Sequence, residues 1–282
     1  MGMSESRLPL FDFSAVTRAR ARAGRLAGDR FLDRASAEGL ADRLTAVKRR
    51  FVQGMMLDVP EPVQEQLFPF ADNWTFATLG EWETVPLSGE KFDLIVSVNA
   101  LQYINDVLGV LIQVGRQLMP DGLFMASLLG GETLRELRDA FAQAEIQTRG
   151  GISPRVSPFA DVRDLGALLQ RAGFALPVAD VERLVVRYRD WAGLVKDLRA
   201  HGLTNVMSAR SKQPLGRDTL TAVLAHYAGH HADPDGRLRA RFETVYLTGW
   251  SPHESQQQPL KPGSAKTRLA EALGTTEQSL KR

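Results

Sequence analysis

Hydrophobic positions between Lys91 and Ala126 follow a strand, helix, strand pattern. Phe92–Val98 is an almost unbroken apolar run, typical of a strand that is buried on both faces, and apolar residues then recur at helical spacing up to Leu118. Pro120-Asp121-Gly122 ends this helix and turns the chain into a second apolar run, Leu123–Leu129. Two parallel strands joined by a crossover helix indicate an α/β fold.

The flanking sequence carries further helix and strand patterns. Before the central unit, the periodicity predicts two helices between Phe11 and Arg50, a strand at Phe51–Val59, a short helix at Val63–Phe68 and a strand at Trp74–Leu79. After it, the chain predicts a helix at Glu132–Gln147, a loop at Gly150–Phe159, a helix at Asp161–Gly173, a strand at Val178–Tyr188, helices within Trp191–Tyr227 and a last strand at Arg241–Trp250. We therefore expect a helical leader over residues 1–50, an α/β core over 51–188, a helical insertion over 189–240, and a last strand with a tail over 241–282.

Composition limits the possible functions. The 282 residues are 44% hydrophobic and 24% charged, which is enough for one substantial α/β core. The absence of cysteine excludes disulfides, thiolate metal sites and cysteine nucleophiles. A formal net charge of +2 is too small to indicate nucleic acid binding. There is neither a spanning apolar run nor a signal-peptide core, so we expect a cytoplasmic protein.

Positive charge is concentrated near the N-terminus. The arginines there are Arg18, Arg20, Arg22, Arg25, Arg30 and Arg34. They are compatible with a solvated helix face, with a contact for an acidic partner, or with a peripheral contact to the anionic inner membrane surface.

Several motifs resemble a known family. The sequence FDLIVS, followed about twenty residues later by L-x-P-D-G, is similar to the fourth and fifth strands of class I S-adenosylmethionine-dependent methyltransferases. Three later motifs narrow the resemblance: GGETLRELRDAF at Gly130–Phe141, GGISPRVSPF at Gly150–Phe159 and TGWSPHESQQQPLKPGSA at Thr248–Ala265. Together they resemble the methyltransferase-fold assembly factors of respiratory complex I and the related biotin-pathway malonyl-carrier-protein methyltransferases. The resemblance runs from about Phe11 to Ala265.

The resemblance implies a Rossmann-like, mostly parallel sheet that binds S-adenosylmethionine. It also implies action on a quinone-site subunit of complex I, where one family member is an arginine hydroxylase. In this family the first strand leads into a glycine-rich turn that brings backbone close to the cofactor. Here the chain continues Asp58-Val59-Pro60-Glu61-Pro62, in which two prolines fix φ and remove two N–H donors. Such a corner does not form the usual cradle.

The first half of the core is also short. Only about thirty residues, Glu61–Glu90, separate the first strand from Phe92–Val98. Two crossover units of a dozen or more residues each do not fit in that length, so we expect the family's second strand to be absent. The sequence therefore predicts a methyltransferase-like fold with a truncated first half and weak or absent cofactor binding.

Four residues remain as candidates for a cofactor pocket. Asp58 ends the first strand, and Asn99 and Gln102 follow the fourth strand of the family pattern. Glu81 stands where the family often has an acid beside the adenine. Each of these residues is also compatible with an ordinary surface or strand-capping role. No catalytic residue is identifiable. Gln102 stands where the family often has a histidine, which is the only titratable side chain that we would expect after this strand.

The histidines give a weak indication of a metal site. His226 and His230 share a helix face at i, i+4 spacing, and His231 follows. The sequence offers neither a glutamate of an H-E-x-x-H motif nor a third ligand. We therefore predict no metal site.

Three functional hypotheses follow. In the first, the chain is a degenerate, cofactor-poor relative that acts by binding a respiratory-complex subunit, with the partner surface at Ser153, Arg155, Ser157 and Phe159 and at the basic N-terminal helices. In the second, it is an active S-adenosylmethionine-dependent methyltransferase, or an arginine hydroxylase, with an atypical pocket. In the third, it is a regulatory subunit that stabilises an active paralogue.

Overall fold

Six strands and eight α-helices lie in the part of the chain described by the computed structural model, residues 9–26, 28–80, 83–86, 89–257 and 274–275. The helices are α1 Phe13–Arg25, α2 Phe31–Ala46, α3 Glu61–Gln64, α4 Val107–Gln117, α5 Arg135–Arg149, α6 Val162–Arg171, α7 Trp191–Ala200 and α8 Arg217–His230. The strands are β1 Phe51–Leu57, β2 Ala71–Ala77, β3 Phe92–Val98, β4 Leu118–Leu129, β5 Ala175–Tyr188 and β6 Leu238–Trp250. Residues up to Pro252 form one compact unit, and His253 begins a second one.

The strands form one mixed sheet in the order β2-β1-β3-β4-β6-β5. Strands β2, β1, β3 and β4 are parallel to one another, whereas β6 is antiparallel to both β4 and β5. This confirms the mostly parallel, Rossmann-like α/β class. The long β5/β6 ladder closes the sheet at one edge, and β2 forms the other edge.

Helices cover both faces of the sheet. On one face, Leu40 of α2 packs in a buried cluster with Val96 of β3. On the other face, Val110 of α4 and Leu165 of α6 pack in a cluster with Ile95. Because neighbouring residues of β3 belong to opposite clusters, the strand is apolar on both sides, as its sequence predicts.

The central crossover unit is confirmed, with one difference. Helix α4 begins at the cap residue Asp106, whose side chain accepts a hydrogen bond from the Gly109 amide at 2.8 Å. Strand β4 begins at Leu118, five residues earlier than predicted, because Leu118 already pairs with Phe92. The register then shifts, and Pro120-Asp121-Gly122 forms an irregularity within the strand instead of a turn before it.

The first half of the sheet is truncated, as the spacing predicts. Residues 58–70, all of which are described, contain the four-residue helix α3 and a 3₁₀ turn at Phe68–Phe70, and no strand. The predicted helix at Val63–Phe68 is therefore wrong in its bounds, because proline occurs at the start of α3 and again in the 3₁₀ turn. Strand β2 begins three residues before the predicted Trp74 and pairs directly with β1.

None of the helices in the described residues combines the length and apolar character needed to cross a membrane.

Candidate functional site

The site begins with two residues that follow parallel strands. Asp58 comes directly after β1 and Asn99 directly after β3, and both have left-handed backbone, with φ of 51° and 48°. Aspartate and asparagine tolerate this conformation better than most residues. Because β1 and β3 are neighbours, the two turns lie side by side at the carboxyl edge of the sheet, where open α/β folds bind ligands.

A cavity of about 260 Å³ lies at this edge. Its polar lining residues are Arg20, Arg30, Asp33, Asp58, Thr78, Asn99, Gln102, Tyr103 and His201. The structure therefore brings together three of the four residues that the sequence predicts for the cofactor, namely Asp58, Asn99 and Gln102. The fourth, Glu81, lies outside the described residues.

Arg20 of α1 bridges the two strand ends. Its Nη1 lies 3.1 Å from Asp58 Oδ2, and its Nη2 donates a hydrogen bond to the Ala100 carbonyl at 2.7 Å. The Asp58 side chain is only 8% exposed, whereas that of Arg20 is 39% exposed. The guanidinium therefore lines the cavity and ties α1 to the ends of both strands.

Burial governs the charge of Asp58. Desolvation raises the pKa of its carboxyl, and the ion pair with Arg20 and the hydrogen bonds from Leu79 and Thr78 only partly offset it. Asp58 is therefore a desolvated acid at a ligand-binding edge, and such perturbed groups are concentrated at functional sites.

Asn99 faces helix α2. Its Nδ2 donates to Asp33 Oδ1 at 3.0 Å and lies 3.1 Å from Ser36 Oγ, and Asp33 in turn forms an ion pair with Arg30 at 2.6 Å. The amide of Asn99 thus holds α2 against the end of β3. In this arrangement its hydrogen-bonding capacity is used within the protein.

Gln102 lies between two cavities. Its Nε2 donates to the Asn99 carbonyl at 2.7 Å, while its Oε1 has no hydrogen-bond partner among the described residues, although the residue is only 9% exposed. On its other side is an apolar cavity of about 220 Å³ lined by Phe11, Ile104 and Phe159, among others. An unsatisfied buried acceptor is costly, so Gln102 Oε1 is a candidate contact for a ligand.

The corner after β1 offers no glycine cradle. Val59 is buried, Pro60 has φ of −60°, and Glu61 begins the one-turn helix α3. The cavity is also smaller than the roughly 300–1,000 Å³ usual for small-molecule sites. The described corner therefore lacks the glycine cradle that the fold usually offers to S-adenosylmethionine.

The loop at Gly150–Phe159 is folded inward. The backbone N–H of Ser153 donates to Glu145 Oε2 at 2.6 Å, and Arg155 Nε donates to Glu145 Oε1 at 2.7 Å. Ser157 is buried, and the Phe159 ring lies 6.1 Å from that of Tyr103. The four side chains predicted to bind a partner therefore make internal contacts, and Ile152, at 65% exposure, is the loop's exposed apolar side chain.

Internal ion pairs use much of the N-terminal positive charge. Arg20 pairs with Asp58, Arg30 with Asp33, and Arg34 with Asp29. A contact between the N-terminal arginines and a membrane or an acidic partner stays a prediction.

Sequence reasoning missed Arg20, Asp33 and His201 as cavity residues. His201 Nε2 accepts a hydrogen bond from the Leu32 amide at 3.2 Å, and its Nδ1 lies 2.9 Å from the Asp197 carbonyl. These residues come from α1, α2 and the end of α7, far from the strands in sequence. The basic pattern of α1 was the only sequence feature that pointed to one of them.

Comparison with known proteins identifies the family. The methyltransferase-domain family matches residues 8–177, which is more than half of the chain. The chain belongs to this family. The match confirms the resemblance inferred from the sequence motifs.

The similar curated proteins are of two kinds. The chain is 38% identical over 193 residues to the mitochondrial arginine-hydroxylase NDUFAF5 of Danio rerio, covering 68% of this chain and 60% of that protein. It is 39% identical over 197 residues to the human NDUFAF5, covering 70% of this chain and 57% of that protein. It is also 33% identical over 238 residues to a malonyl-[acyl-carrier protein] O-methyltransferase of a Methylovorus species, covering 81% of this chain and 77% of that protein. The match thus spans about three fifths of these two NDUFAF5 proteins.

A solved structure supports the fold. The YcgJ protein of Bacillus subtilis superposes with a TM-score of 0.51 at 10% identity, covering 77% of this chain and 98% of that one.

Proposed function

We propose that this chain is a cofactor-poor member of the methyltransferase-domain family that acts by binding another protein, in the manner of the complex I assembly factors it resembles. The observation that carries the proposal is the Arg20 bridge between Asp58 and the Ala100 carbonyl, at a corner where prolines stand in place of glycines. A bridged strand edge holds α1 in place and leaves little room for a nucleoside.

Energetic reasoning supports weak cofactor binding. The residue after β2 is Thr78, whose hydroxyl bonds to Asp58, so no carboxylate follows β2 directly to bind a ribose. Losing that carboxylate and one loop amide removes about 3–6 kcal/mol, at about 1.5–3 kcal/mol for each charge-assisted bond. This weakens binding on the order of a hundredfold to ten-thousandfold.

Displacing Arg20 to admit a ligand carries its own cost. Asp58 would lose its cation while remaining 8% exposed. Removing one partner of a buried ion pair costs about 3–5 kcal/mol, and less here because Arg20 is partly solvated. A ligand must therefore replace the charge of Arg20 as well as its volume.

Protein binding has a candidate surface at the β2 edge. Phe76 is 55% exposed and Phe68 is 43% exposed, and their rings contact each other edge to face at 6.4 Å. An edge strand with an exposed aromatic pair is a surface that another chain can cover. We assign this surface to the protein partner, a respiratory-complex subunit.

Titration calorimetry with S-adenosylmethionine tests the cofactor part of the proposal. We expect a dissociation constant of about 100 μM or weaker, since a micromolar family site loses at least a hundredfold. A Gln102→Ala variant, which removes the Oε1 that has no partner among the described residues, shows whether any weak heat originates in the cleft. Binding at tens of micromolar or tighter in the wild-type protein would contradict the proposal.

Purification from native cells tests the partner part. We expect a complex I subunit to copurify with the wild-type chain and with an Ile152→Asp variant, and to be lost with Phe76→Asp. Recovery of a full-length methyltransferase paralogue would support the regulatory-subunit hypothesis instead. A monomeric preparation, or equal recovery with Phe76→Asp, would contradict the assigned surface.

The second candidate function is an active S-adenosylmethionine-dependent transferase, or an arginine hydroxylase, with an atypical pocket. The unsatisfied Oε1 of Gln102 at the carboxyl edge of the sheet favours it. The calorimetric titration separates it from the first, because turnover requires the cofactor to bind.

A further inference from the structure

Helices α5 and α8 bring together three metal-ligating side chains outside the cleft. Asp139 lies on α5, His226 lies on α8, and His231 follows the last residue of α8. Asp139 Oδ2 is 2.9 Å from His226 Nε2 and 2.8 Å from His231 Nε2. The three ligand atoms lie within 4.8 Å of one another.

These distances are close to those of a metal site. An ion bonded at about 2.1 Å to three ligand atoms at tetrahedral or octahedral angles needs those atoms roughly 3.0–3.4 Å apart. The two measured separations are about one or two tenths of an ångström shorter than that range, and the two imidazole nitrogens lie within 4.8 Å of each other. An ion can therefore replace the protons between Asp139 and the two imidazoles with small side-chain rotations.

The donor atoms match a defined class of metal. Two imidazole nitrogens and one carboxylate oxygen suit divalent first-row transition ions such as Zn²⁺, with water completing the coordination.

The site is both accessible and held in shape. The Asp139 side chain is 40% exposed and those of His226 and His231 are 20% and 19% exposed, which leaves an entry for an ion and water. The His226 ring stacks on His230 at 4.1 Å, and His231 contacts the Tyr227 ring at 5.5 Å. Neighbouring rings thus fix the orientation of both ligands.

We propose that Asp139, His226 and His231 bind a divalent transition-metal ion of the zinc class, which ties α5 to the end of α8. His230 lies outside this set, because its ring stacks on that of His226 and its nitrogens do not belong to the group of ligand atoms within 4.8 Å of one another. The i, i+4 histidine pair suggested by sequence is thus replaced by a set whose carboxylate lies 87 positions away from His226.

The test uses the untagged chain of 282 residues after treatment with a chelator. Zn²⁺ is titrated by calorimetry, and Co²⁺ is followed by its visible absorption, which reports nitrogen and oxygen coordination directly. We expect one ion per chain, a rise in the thermal midpoint with Zn²⁺, and an affinity at least about 100-fold weaker in Asp139→Ala and His231→Gln, since even outer-shell changes cost 10–100-fold.

His230→Gln is the matched control, because it alters a neighbouring imidazole on the same helix while leaving the three ligands in place. It should bind Zn²⁺ as the wild type does. Failure of the wild type to bind, or equal losses in His230→Gln and the ligand variants, would overturn the proposal. Circular dichroism of each metal-free variant separates lost ligation from lost folding, and the wild-type Co²⁺ spectrum is independent of all variants.

Discussion

Two buried carboxylates distinguish the cleft from the inward-folded loop. Glu145, beneath the loop at Gly150–Phe159, is fully buried, accepts hydrogen bonds from Ser153 and Arg155, and pairs with Arg149 as well. Burial alone would raise its pKa, but the bonds from Ser153 and the pairing with Arg155 outweigh burial and lower it. At Asp58 in the cleft the balance is reversed, and burial raises the pKa despite Arg20.

The difference separates a structural contact from a candidate functional one. The loop satisfies its buried charge, as a segment held for stability does. The cleft leaves Asp58 poorly solvated and Gln102 Oε1 without a partner among the described residues. Both regions leave buried polar atoms without a partner among the described residues, Arg155 Nη2 and Ser157 Oγ in the loop and Gln102 Oε1 in the cleft. The two motifs, which the sequence treats alike as candidate binding regions, therefore differ in how completely their buried carboxylates are stabilised.

The largest expected loss of stability follows from replacing Glu145, beneath the loop. Glu145→Ala leaves Arg155, whose side chain is 11% exposed, without its counter-ion. Loss of one partner of a buried ion pair lowers the free energy of unfolding by about 3–5 kcal/mol. Urea denaturation measures this loss, and Ile152→Ser, at an exposed position of the same loop, is the control. A change below about 1 kcal/mol would show that the loop is not held by Glu145.

The next largest expected loss of stability follows from breaking the link between β3 and α2. Asn99→Ala removes the donors to Asp33 and Ser36 and places alanine at a left-handed φ. We expect a loss of about 2–3 kcal/mol in the free energy of unfolding, from one charge-assisted bond and the backbone strain. Asn99→Gly, which keeps only the hydrogen-bond loss, should recover part of it. Equal stability of the wild type and both variants would remove Asn99 from the network.

The stability contributed by Glu145 and that contributed by Asp58 should change with pH in opposite directions. The lowered pKa of Glu145 contributes stability above its ordinary value of 4.5, and this is lost as pH falls through the folded-state pKa. Glu145→Gln should therefore be less stable than the wild type at pH 7, and the gap should close in acid. Unfolding midpoints between pH 3 and 8 measure this, and a gap independent of pH would contradict it.

The smallest expected change in stability is at Asp58. Its raised pKa contributes stability that is fully present below the ordinary value of 3.8 and is lost as pH rises through the folded-state pKa. Asp58→Asn cannot ionise, so it should gain stability relative to the wild type as pH rises from 3.8. If this variant instead loses stability as pH rises, the Arg20 pair outweighs desolvation and the comparison fails.

The sequence predicted those elements that are set by the spacing of residues close together in the chain. The buried run Phe92–Val98 and the helical spacing of the apolar residues after it predicted β3 and α4, and the spacing after Asp58 predicted the truncation. The start of β4 at Leu118 was missed, because a strand that continues through a Pro-Asp-Gly irregularity requires a paired neighbour to stabilise it.

The contacts that define both proposed sites are tertiary. Arg20 is 38 positions from Asp58, and Asp139 is 92 positions from His231. Neither pair has a periodic relation in the sequence, so only the packing of α1 on the strand ends and of α5 on α8 brings them together. The sequence supplied the candidate residue types, and the fold selected their partners.

A crystal of the chain soaked with S-adenosylmethionine tests the central claim most directly. The account predicts that Arg20 still bridges Asp58 and the Ala100 carbonyl, with no nucleoside density beside Asn99. A nucleoside ordered in the cleft with Arg20 displaced from Asp58 would contradict it.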